Sequence, residues 1–440
     1  MKKFISTVKN IFSIEDLRVR ILNTIGFLII FRLGSYVVLP GVDPSLLGEG
    51  AAEGIFGLID TFLGGAFSNA SIFGLGIMPY ISASIVLQLL TVGVPYFQKM
   101  QKEGESGRKR INQITRVLTI LITIAQGIGY VSATILPTGA VMIDTTLFMF
   151  SSLVLLSAGT MFCMWLGEKI TEKGIGNGIS MLIMIGIISR FPGAIIAEGL
   201  EKGTSGMLLL IIEAVVLFFV VVGVIALTEA TRRIPVQYAK QVVGGKVYGG
   251  QRQYIPIKVN ASGVMPIIFA QSLMFLPAMI AQIWAQESDI ANYIGSTFSD
   301  FTSWQYNLLF AVLIIIFTFF YTAITVNPEQ IAEDMKRNGG FVPGIKPGAP
   351  TSEFIDGIIS KITLPGSILL ALVAVMPAFA IIAGVGGEFA QFYGGTSLLI
   401  MVGVILDTLR QIESYLLMRH YEGMMKSGNM KNNPSNYQVA

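Results

Sequence analysis

Long apolar runs separated by short polar stretches dominate the chain. A helix needs about 20 apolar residues to cross the hydrocarbon core of a membrane, and ten runs reach that length. The predicted spans are residues 19–39, 72–95, 114–136, 147–167, 176–197, 207–229, 263–285, 305–326, 363–385 and 396–416. We therefore expect an all-α membrane protein with ten transmembrane helices. Arg32 interrupts the first span and no small-residue cleavage site follows it, so we interpret this span as a retained anchor.

Three polar stretches stand out between the predicted spans. Residues 96–113 predict a short charged loop. Residues 230–262 alternate apolar and polar positions on both sides of Gly244-Gly245, which predicts a β-hairpin-like finger. Residues 327–362 are rich in Pro and Gly near 339–350 and predict a rigid, irregular projection. These stretches form either a docking surface for a large partner or a merely solvated face.

The connection at residues 40–71 contains an apolar segment that is too short to span a membrane. Backbone that breaks a helix at membrane depth is tolerated only inside protein or beside water. We therefore interpret residues 55–67 as a half-helix folded back into a cavity. The alternative is an interfacial helix on the outer leaflet.

Two segments of the chain begin alike, with GIMPYISASIVLQLL from Gly76 and GVMPIIFAQSLMFLP from Gly263. Each belongs to the second span of a five-span half, and because five is odd the second half must be inverted. Such repeats place a functional path between the halves, although chance similarity of two apolar helices is the alternative. The predicted units are an N-terminal half (1–197), a C-terminal half (198–416) and a cytoplasmic tail (417–440).

Composition excludes an ordinary soluble enzyme. Hydrophobic residues make up 53% of the 440 residues and charged residues 13%, against about 25% charged in soluble domains. The single Cys163 and single His420 exclude an internal disulfide and a multi-His metal site. No nucleotide-binding, hydrolase or metalloprotease motif is present, so we expect neither catalysis nor a cofactor.

The basic residues predict the orientation of the chain. With ten spans, all of the 30 Lys and Arg residues except Arg32, Arg190 and Lys202 fall on the side that holds both termini. Because short cytoplasmic loops retain Lys and Arg, both termini are expected in the cytoplasm. Arg32 and Glu213 lie toward the outer half of their spans and could pair. No chain of acidic residues crosses the spans, which disfavours a secondary transporter but leaves it as the rival class.

Several long strings together resemble the SecY family, whose members form the central subunit of the bacterial protein-conducting channel, the translocon. These strings are GIMPYISASIVLQLL (76–90), KEGESGRKRINQITR (102–116), WLGEKITEKGIGNGIS (165–180), RRIPVQYAK (232–240), YIPIKVNASGVMP (254–266), NPEQIAEDMKRNGGFVPGIKPG (327–348) and GTSLLIMVGVILDTLRQIE (395–413). The resemblance covers essentially the whole chain. It implies an hourglass pore between two inverted halves, with a re-entrant plug.

The resemblance also implies roles for individual residues, although spacing alone would favour ordinary lipid-facing or core Ile. The implied pore ring is Ile77, Ile81, Ile179, Ile183, Ile268 and Ile400. The implied plug is Phe56, Gly57, Leu58, Ile59, Asp60, Thr61, Phe62, Leu63, Gly64, Gly65, Ala66 and Phe67. The implied lateral gate opens between spans 2–3 and 7–8, with Gln88 and Asn260 beside it.

The implied docking residues for a motor or ribosome are Arg232, Arg233, Lys240, Lys246, Arg252, Lys336, Arg337 and Lys346. Lys346 and the pair Gly245-Lys246 replace arginines of many relatives, and Lys lacks the planar bidentate fork of Arg. By resemblance, the expected partners are SecE-like and SecG-like small membrane subunits, a SecA-like motor ATPase, the ribosome, signal sequences, nascent polypeptides and membrane lipid. The expected location is the inner (plasma) membrane.

Overall fold

The computed structural model describes residues 12–47, 60, 62–203, 206–238, 241–243, 246–248, 252–284, 297, 300 and 302–427. The described chain is mostly helical. Its helices are α1 (Glu15–Gly34), α2 (Met78–Gly93), α3 (Pro95–Lys102), α4 (Glu105–Tyr130), α5 (Thr145–Lys173), α6 (Gly178–Lys202), α7 (Met207–Glu229), α8 (Met265–Trp284), α9 (Trp304–Thr325), α10 (Pro328–Arg337), α11 (Ala349–Ile382), α12 (Gly387–Ala390) and α13 (Gly395–Ser427). Its strands are β1 (Thr231–Tyr238), β2 (Gln241–Val243), β3 (Lys246–Tyr248), β4 (Arg252–Lys258) and β5 (Gly340–Phe341).

A helix lies at each of the ten predicted spans. Within the described residues, seven helical stretches are long and apolar enough to cross a membrane, and α2 with α3, bent by 98°, would be an eighth. The remaining two predicted spans correspond to α1, which carries acidic and basic residues, and to α8. The count of ten spans therefore stays a prediction, whereas a multi-pass helical architecture is established.

The Gly-rich turn at residues 174–178 ties several helices together. The side chain of Asn177 caps α6 by accepting hydrogen bonds from the amides of Ile179 (3.1 Å) and Ser180 (3.3 Å). Gly176 has φ +82°, a conformation that glycine adopts without strain, and its amide donates to Gln411 Oε1 of α13 at 2.8 Å.

The prediction of a charged loop over residues 96–113 is wrong, because these residues form α3 and the start of α4. Gly104, with φ +73°, reverses the chain between the two helices. Their charged residues form helical pairs such as Lys109 with Glu105, at 3.2 Å. A charge-rich sequence therefore occupies helix surfaces here instead of a loop.

The predicted finger is confirmed, and it forms a sheet with the second long loop. β1 runs antiparallel to β4, from Thr231↔Lys258 to Gln237↔Arg252, and β2 pairs with β3. β5, from the second loop, pairs with the other edge of β1, so the strand order is β4-β1-β5. The two loops therefore share one three-stranded sheet, called here the docking sheet.

The expectation of an irregular projection over residues 327–362 is only partly correct. α10 and the early start of α11 make most of it helical, and the tip at residues 338–348 is irregular apart from the two-residue strand β5. At 1.5 Å per residue, the 34 residues of α11 extend about 51 Å, well beyond the roughly 30 Å hydrocarbon core. Its first turns place Ile355 and Ile359 against Val236 and Met335, which gives the docking sheet its own apolar core.

Candidate functional site

An apolar cavity lies where α1, α2, α6, α8 and α13 meet. Five of the six isoleucines of the implied ring line it, namely Ile77, Ile81, Ile183, Ile268 and Ile400. Ile179 is half-buried and packs against the same core but does not line the cavity. The cavity is also lined by Phe62 and Leu63 of the implied plug. Its other lining residues, which the sequence did not indicate, are Phe31, Met78, Leu182, Gln271 and Ser272.

A second internal repeat, overlooked in the sequence, relates two walls of this cavity. GISMLIMIG (178–186) at the start of α6 matches GTSLLIMVG (395–403) at the start of α13. This repeat aligns Ile183 with Ile400, and the repeat that starts at Gly76 and Gly263 aligns Ile81 with Ile268. Four of the isoleucines are therefore two repeat-related pairs, a signal that is independent of any family resemblance.

The described part of the implied plug is buried against this cavity. It comprises Asp60 and residues 62–67, whereas Phe56, Gly57, Leu58, Ile59 and Thr61 lie outside the described residues. Helical structure ends at Leu63 and the chain then turns through residues 64–70, so the expected half-helix ends earlier than Phe67. Residues 62–67 are all buried, as expected for a segment folded into the protein and not for a helix on the outer leaflet.

Asp60 holds the buried plug segment together. Its side chain is fully buried and accepts hydrogen bonds from the amides of Phe67 (3.1 Å) and Ser68 (3.0 Å) and from Ser68 Oγ (2.6 Å). The same carboxylate forms an ion pair with Arg190 of α6. Because an unpaired charge is very unfavourable in such a place, Asp60 and Arg190 stabilise the seated position of the segment together.

Further polar contacts tie the turn after the plug helix to its surroundings. Arg32 donates to the carbonyl oxygen of Gly64 and, at 3.1 Å, to Tyr36 Oη. Tyr130 Oη donates to the carbonyl oxygen of Phe67 at 2.6 Å. Helices α1, α4 and α6 therefore all hold this segment.

The expected pairing of Arg32 with Glu213 is wrong. Arg32 points to the plug turn, whereas Glu213 at the start of α7 forms an ion pair with Lys202 at the end of α6. The cause is the short connection between α6 and α7, which brings these two residues, 11 apart in sequence, side by side.

A hydrogen bond joins the two helices that the resemblance places on opposite sides of the lateral gate. Tyr321 Oη of α9 donates to Gln88 Oε1 of α2, while Gln88 Nε2 donates to Ser84 Oγ at 3.4 Å. Tyr321 was not anticipated from the sequence. Asn260 is buried in the turn before α8, where it accepts a hydrogen bond from Ser262 Oγ at 3.2 Å.

The implied docking residues lie on the docking sheet and its adjoining elements. Arg232 and Arg233 are exposed on β1, Lys336 and Arg337 on α10, and Lys346 in the turn before α11. Lys246 is on β3 and Arg252 begins β4, whereas Lys240 lies outside the described residues. Among the described residues, no group of three or more His, Cys, Asp or Glu side chains could hold a metal ion.

These features define a multi-pass helical membrane protein with an apolar cavity at the convergence of its helices and a buried segment beside it. The SecY family profile matches residues 71–409. Proteins named protein translocase subunit SecY from Streptomyces coelicolor and Mycobacterium bovis are 42% and 40% identical, over 94% and 97% of this chain and 98% and 100% of theirs. The chain belongs to the SecY family.

Solved structures of channels have the same fold. A protein-conducting channel matches with a TM-score of 0.62 at 17% identity, covering 94% of this chain and 95% of that one. Sec61 from the canine ribosome–channel complex of the endoplasmic reticulum matches with a TM-score of 0.60 at 18% identity, with the same coverage. At these identities the likeness shows the architecture alone.

Proposed function

We propose that this chain is the pore-forming subunit of a protein translocase, which moves secretory polypeptides across the inner membrane and releases transmembrane segments sideways into lipid. The observation that carries this proposal is the isoleucine-lined cavity beside a buried plug segment, in a chain whose relatives are named translocase subunits. The pore runs between the halves 1–197 and 198–416, and the segment 417–440 is a cytoplasmic tail.

The chemistry of the cavity fits a seal around a moving chain. Ile77, Ile81, Ile179, Ile183, Ile268 and Ile400 form the pore ring in this proposal. A narrow apolar constriction restricts ions because water leaves it, and Ile side chains offer no hydrogen bonds that would hold one substrate sequence. At rest, residues 56–67 plug the outer side. A signal sequence then enters between α2 and α9 and partitions into lipid according to its hydrophobicity.

The chain itself catalyses no reaction and needs no cofactor in this proposal, so partners supply the energy. A SecA-like motor or the ribosome docks on the basic surface of the docking sheet, and SecE-like and SecG-like subunits complete the membrane complex. One structural relative was solved in a ribosome–channel complex, which supports the ribosome as partner. The charge asymmetry of the sequence supports cytoplasmic termini.

Disulfide crosslinking during arrested export tests the proposal. Cys163 is replaced by Ser, a cysteine is placed at Ile81, and a secretory chain carrying its own cysteine is arrested at increasing lengths. We expect crosslinks at positions of the nascent chain that shift with its length. A cysteine at Thr408, on α13 on the cytoplasmic side of Ile400, is the control. Crosslinks at Thr408 but never at Ile81 would contradict the proposed path.

Tyr321→Phe should loosen the lateral gate. The substitution removes the hydrogen bond to Gln88, which contributes about 1 kcal/mol, so the open gate becomes about fivefold more populated. Precursors with weakened signal sequences should therefore be exported faster, measured as protease-protected product. Tyr306→Phe, on the same helix but away from α2, should leave export unchanged. Equal effects of both variants would argue against a gate contact.

Arg232→Glu with Arg233→Glu should weaken ribosome binding. Both side chains are exposed on β1, where they can contact RNA phosphates. Affinity falls as salt concentration rises, and the slope of log affinity against log salt concentration should become less steep by about 2. Cosedimentation at several salt concentrations measures this slope. Lys109→Glu with Arg110→Glu on α4 makes the same charge change at exposed residues outside the docking set. The docking assignment fails if this control is equally damaging.

A further inference from the structure

An apolar groove runs between α6 and α7 and shares no lining residue with the isoleucine cavity. Its walls are formed by Phe191 and Ile195 of α6, by Phe389 of α12, and by one face of α7 that comprises Leu210, Ala214, Leu217, Phe218 and Val221. Only 11% of the most apolar stretch of α7 is buried within the described chain. The groove therefore lies on a surface that faces the surrounding membrane.

The length and position of the groove match one leaflet of a bilayer. From Leu210 to Val221, α7 rises about 16 Å at 1.5 Å per residue, which is close to half of a roughly 30 Å hydrocarbon core. These residues form the half of α7 that follows its connection to α6, and that connection lies on the outer side in the proposed orientation. A single acyl chain of an outer-leaflet lipid therefore fits the groove in length.

A buried ionic cluster closes the outer end of the groove. Glu198 lines the groove and is 2% exposed. It forms an ion pair with Lys202 Nζ at 2.7 Å and accepts a hydrogen bond from the Gly386 amide at 2.9 Å. Lys202 also pairs with Glu213, which is 7% exposed. The second carboxylate oxygen of Glu213 is buried and has no hydrogen-bond partner among the described residues.

The cluster has one negative charge in excess, because two carboxylates share one ammonium group. Glu201, exposed one turn from Glu198, adds further negative charge at the rim. A buried carboxylate oxygen without a donor is unfavourable, and an N–H donor that carries positive charge would satisfy it best. Charge complementarity therefore favours a cationic group with N–H donors at this end of the groove.

We propose that this groove binds an outer-leaflet phospholipid with a primary ammonium headgroup, of the phosphatidylethanolamine type. The acyl chain occupies the groove and the ammonium group donates to Glu198 and Glu213. Phosphatidylcholine carries the same charges but has no N–H donor, and phosphatidylglycerol has no ammonium group. The site is separate from the translocation path, so this inference goes beyond the proposed function.

Quenching of a single tryptophan by lipids with brominated acyl chains tests this site. Trp165, Trp284 and Trp304 are replaced by Phe, and a tryptophan is introduced as Phe218→Trp in the groove or as Phe219→Trp on the neighbouring exposed face of α7. The full chain, with its copurifying membrane subunits, is placed in phosphatidylcholine vesicles. Brominated phosphatidylethanolamine, phosphatidylcholine or phosphatidylglycerol is then added in small amounts.

We expect the tryptophan at position 218 to select phosphatidylethanolamine over phosphatidylcholine about fivefold, and the tryptophan at 219 to show no selection. Glu198→Gln should abolish the selection. Glu229→Gln removes a different ion pair of α7, with Arg410, and should keep it. If Glu198→Gln does not fold, Glu213→Gln takes its place, and the comparison of positions 218 and 219 needs neither variant.

Three results would overturn the proposal. Equal selection at positions 218 and 219 would mean that the groove recognises no headgroup. Preference for phosphatidylglycerol at position 218 would mean that Lys202 recognises an anion instead. Quenching at position 219 by every brominated lipid, with none at position 218, would mean that a protein helix covers the groove.

Discussion

Asp60→Asn should raise the resting ion conductance of the reconstituted channel by about two orders of magnitude. Asn keeps the shape of the side chain and can still accept from the amides of Phe67 and Ser68, but it loses the ion pair with Arg190. Breaking the ion pair of a fully buried carboxylate costs about 3 kcal/mol, the lower end for buried pairs, because Arg190 keeps a longer contact with the exposed Glu388 at 3.7 Å. The seated position of the plug loses that free energy. The equilibrium between plugged and unplugged channels therefore shifts toward unplugged channels by about two orders of magnitude.

Asp43→Asn is the matched control for the plug. Asp43 precedes the plug in the same external connection. It is partly exposed, and among the described residues its carboxylate accepts hydrogen bonds from the amide (2.9 Å) and the hydroxyl (2.7 Å) of Ser45, two positions away. Flux of a small ion out of loaded vesicles measures the conductance of both variants. A wild-type flux for Asp60→Asn in a folded channel would show that the ion pair does not hold the seal.

Ile81→Asn combined with Ile268→Asn should open the seal at the cavity itself. The two residues are related by the internal repeat and both line the cavity, so the double variant places two amides on facing walls. Amide groups stabilise water in the constriction, and we expect at least about tenfold more ion flux. Precursors with defective signal sequences should also be exported more readily, which is measured by protease protection.

The internal repeat supplies a control for the cavity. Val86 and Leu273 are another repeat-related pair on α2 and α8, and both are exposed, at 40% and 44%. Val86→Asn with Leu273→Asn makes the same chemical change on the outer surface of the helix bundle and should leave ion flux and signal stringency near wild type. Indistinguishable behaviour of the two double variants would remove Ile81 and Ile268 from the pore ring.

The repeats explain how much of the site the sequence could predict. Gly76 and Gly263 begin equivalent segments, and the matching starts of α6 and α13 supply the other two walls of the cavity. Ile179 aligns with Thr396 in this second repeat, and Ile179 does not line the cavity. Spacing along a single helix put Ile179 and Ile183 on one face, but it could not tell which of them faces the other helices.

The positions of the helices and of the finger could be predicted from the sequence because they depend on local patterns of residues. The length of each apolar run, with its flanking glycines and prolines, marks a membrane helix without reference to distant residues. Alternation around Gly244-Gly245 likewise marks paired strands. The misjudged boundaries lie at polar segments such as the starts of α4 and α11, where charged sequences fit a helix surface as well as a loop.

Only the tertiary structure decided which polar residues meet. Arg190 and Asp60 are 130 residues apart, and Tyr321 and Gln88 are 233 apart. No local pattern encodes such partners, because each side chain is compatible with many others until helix packing fixes one neighbour. The sequence alone suggested that Arg32 could pair with Glu213, and the fold gave both residues other partners. The apolar framework is thus a property of the sequence, whereas the bonds that hold the plug and join α2 to α9 arise from how its helices pack.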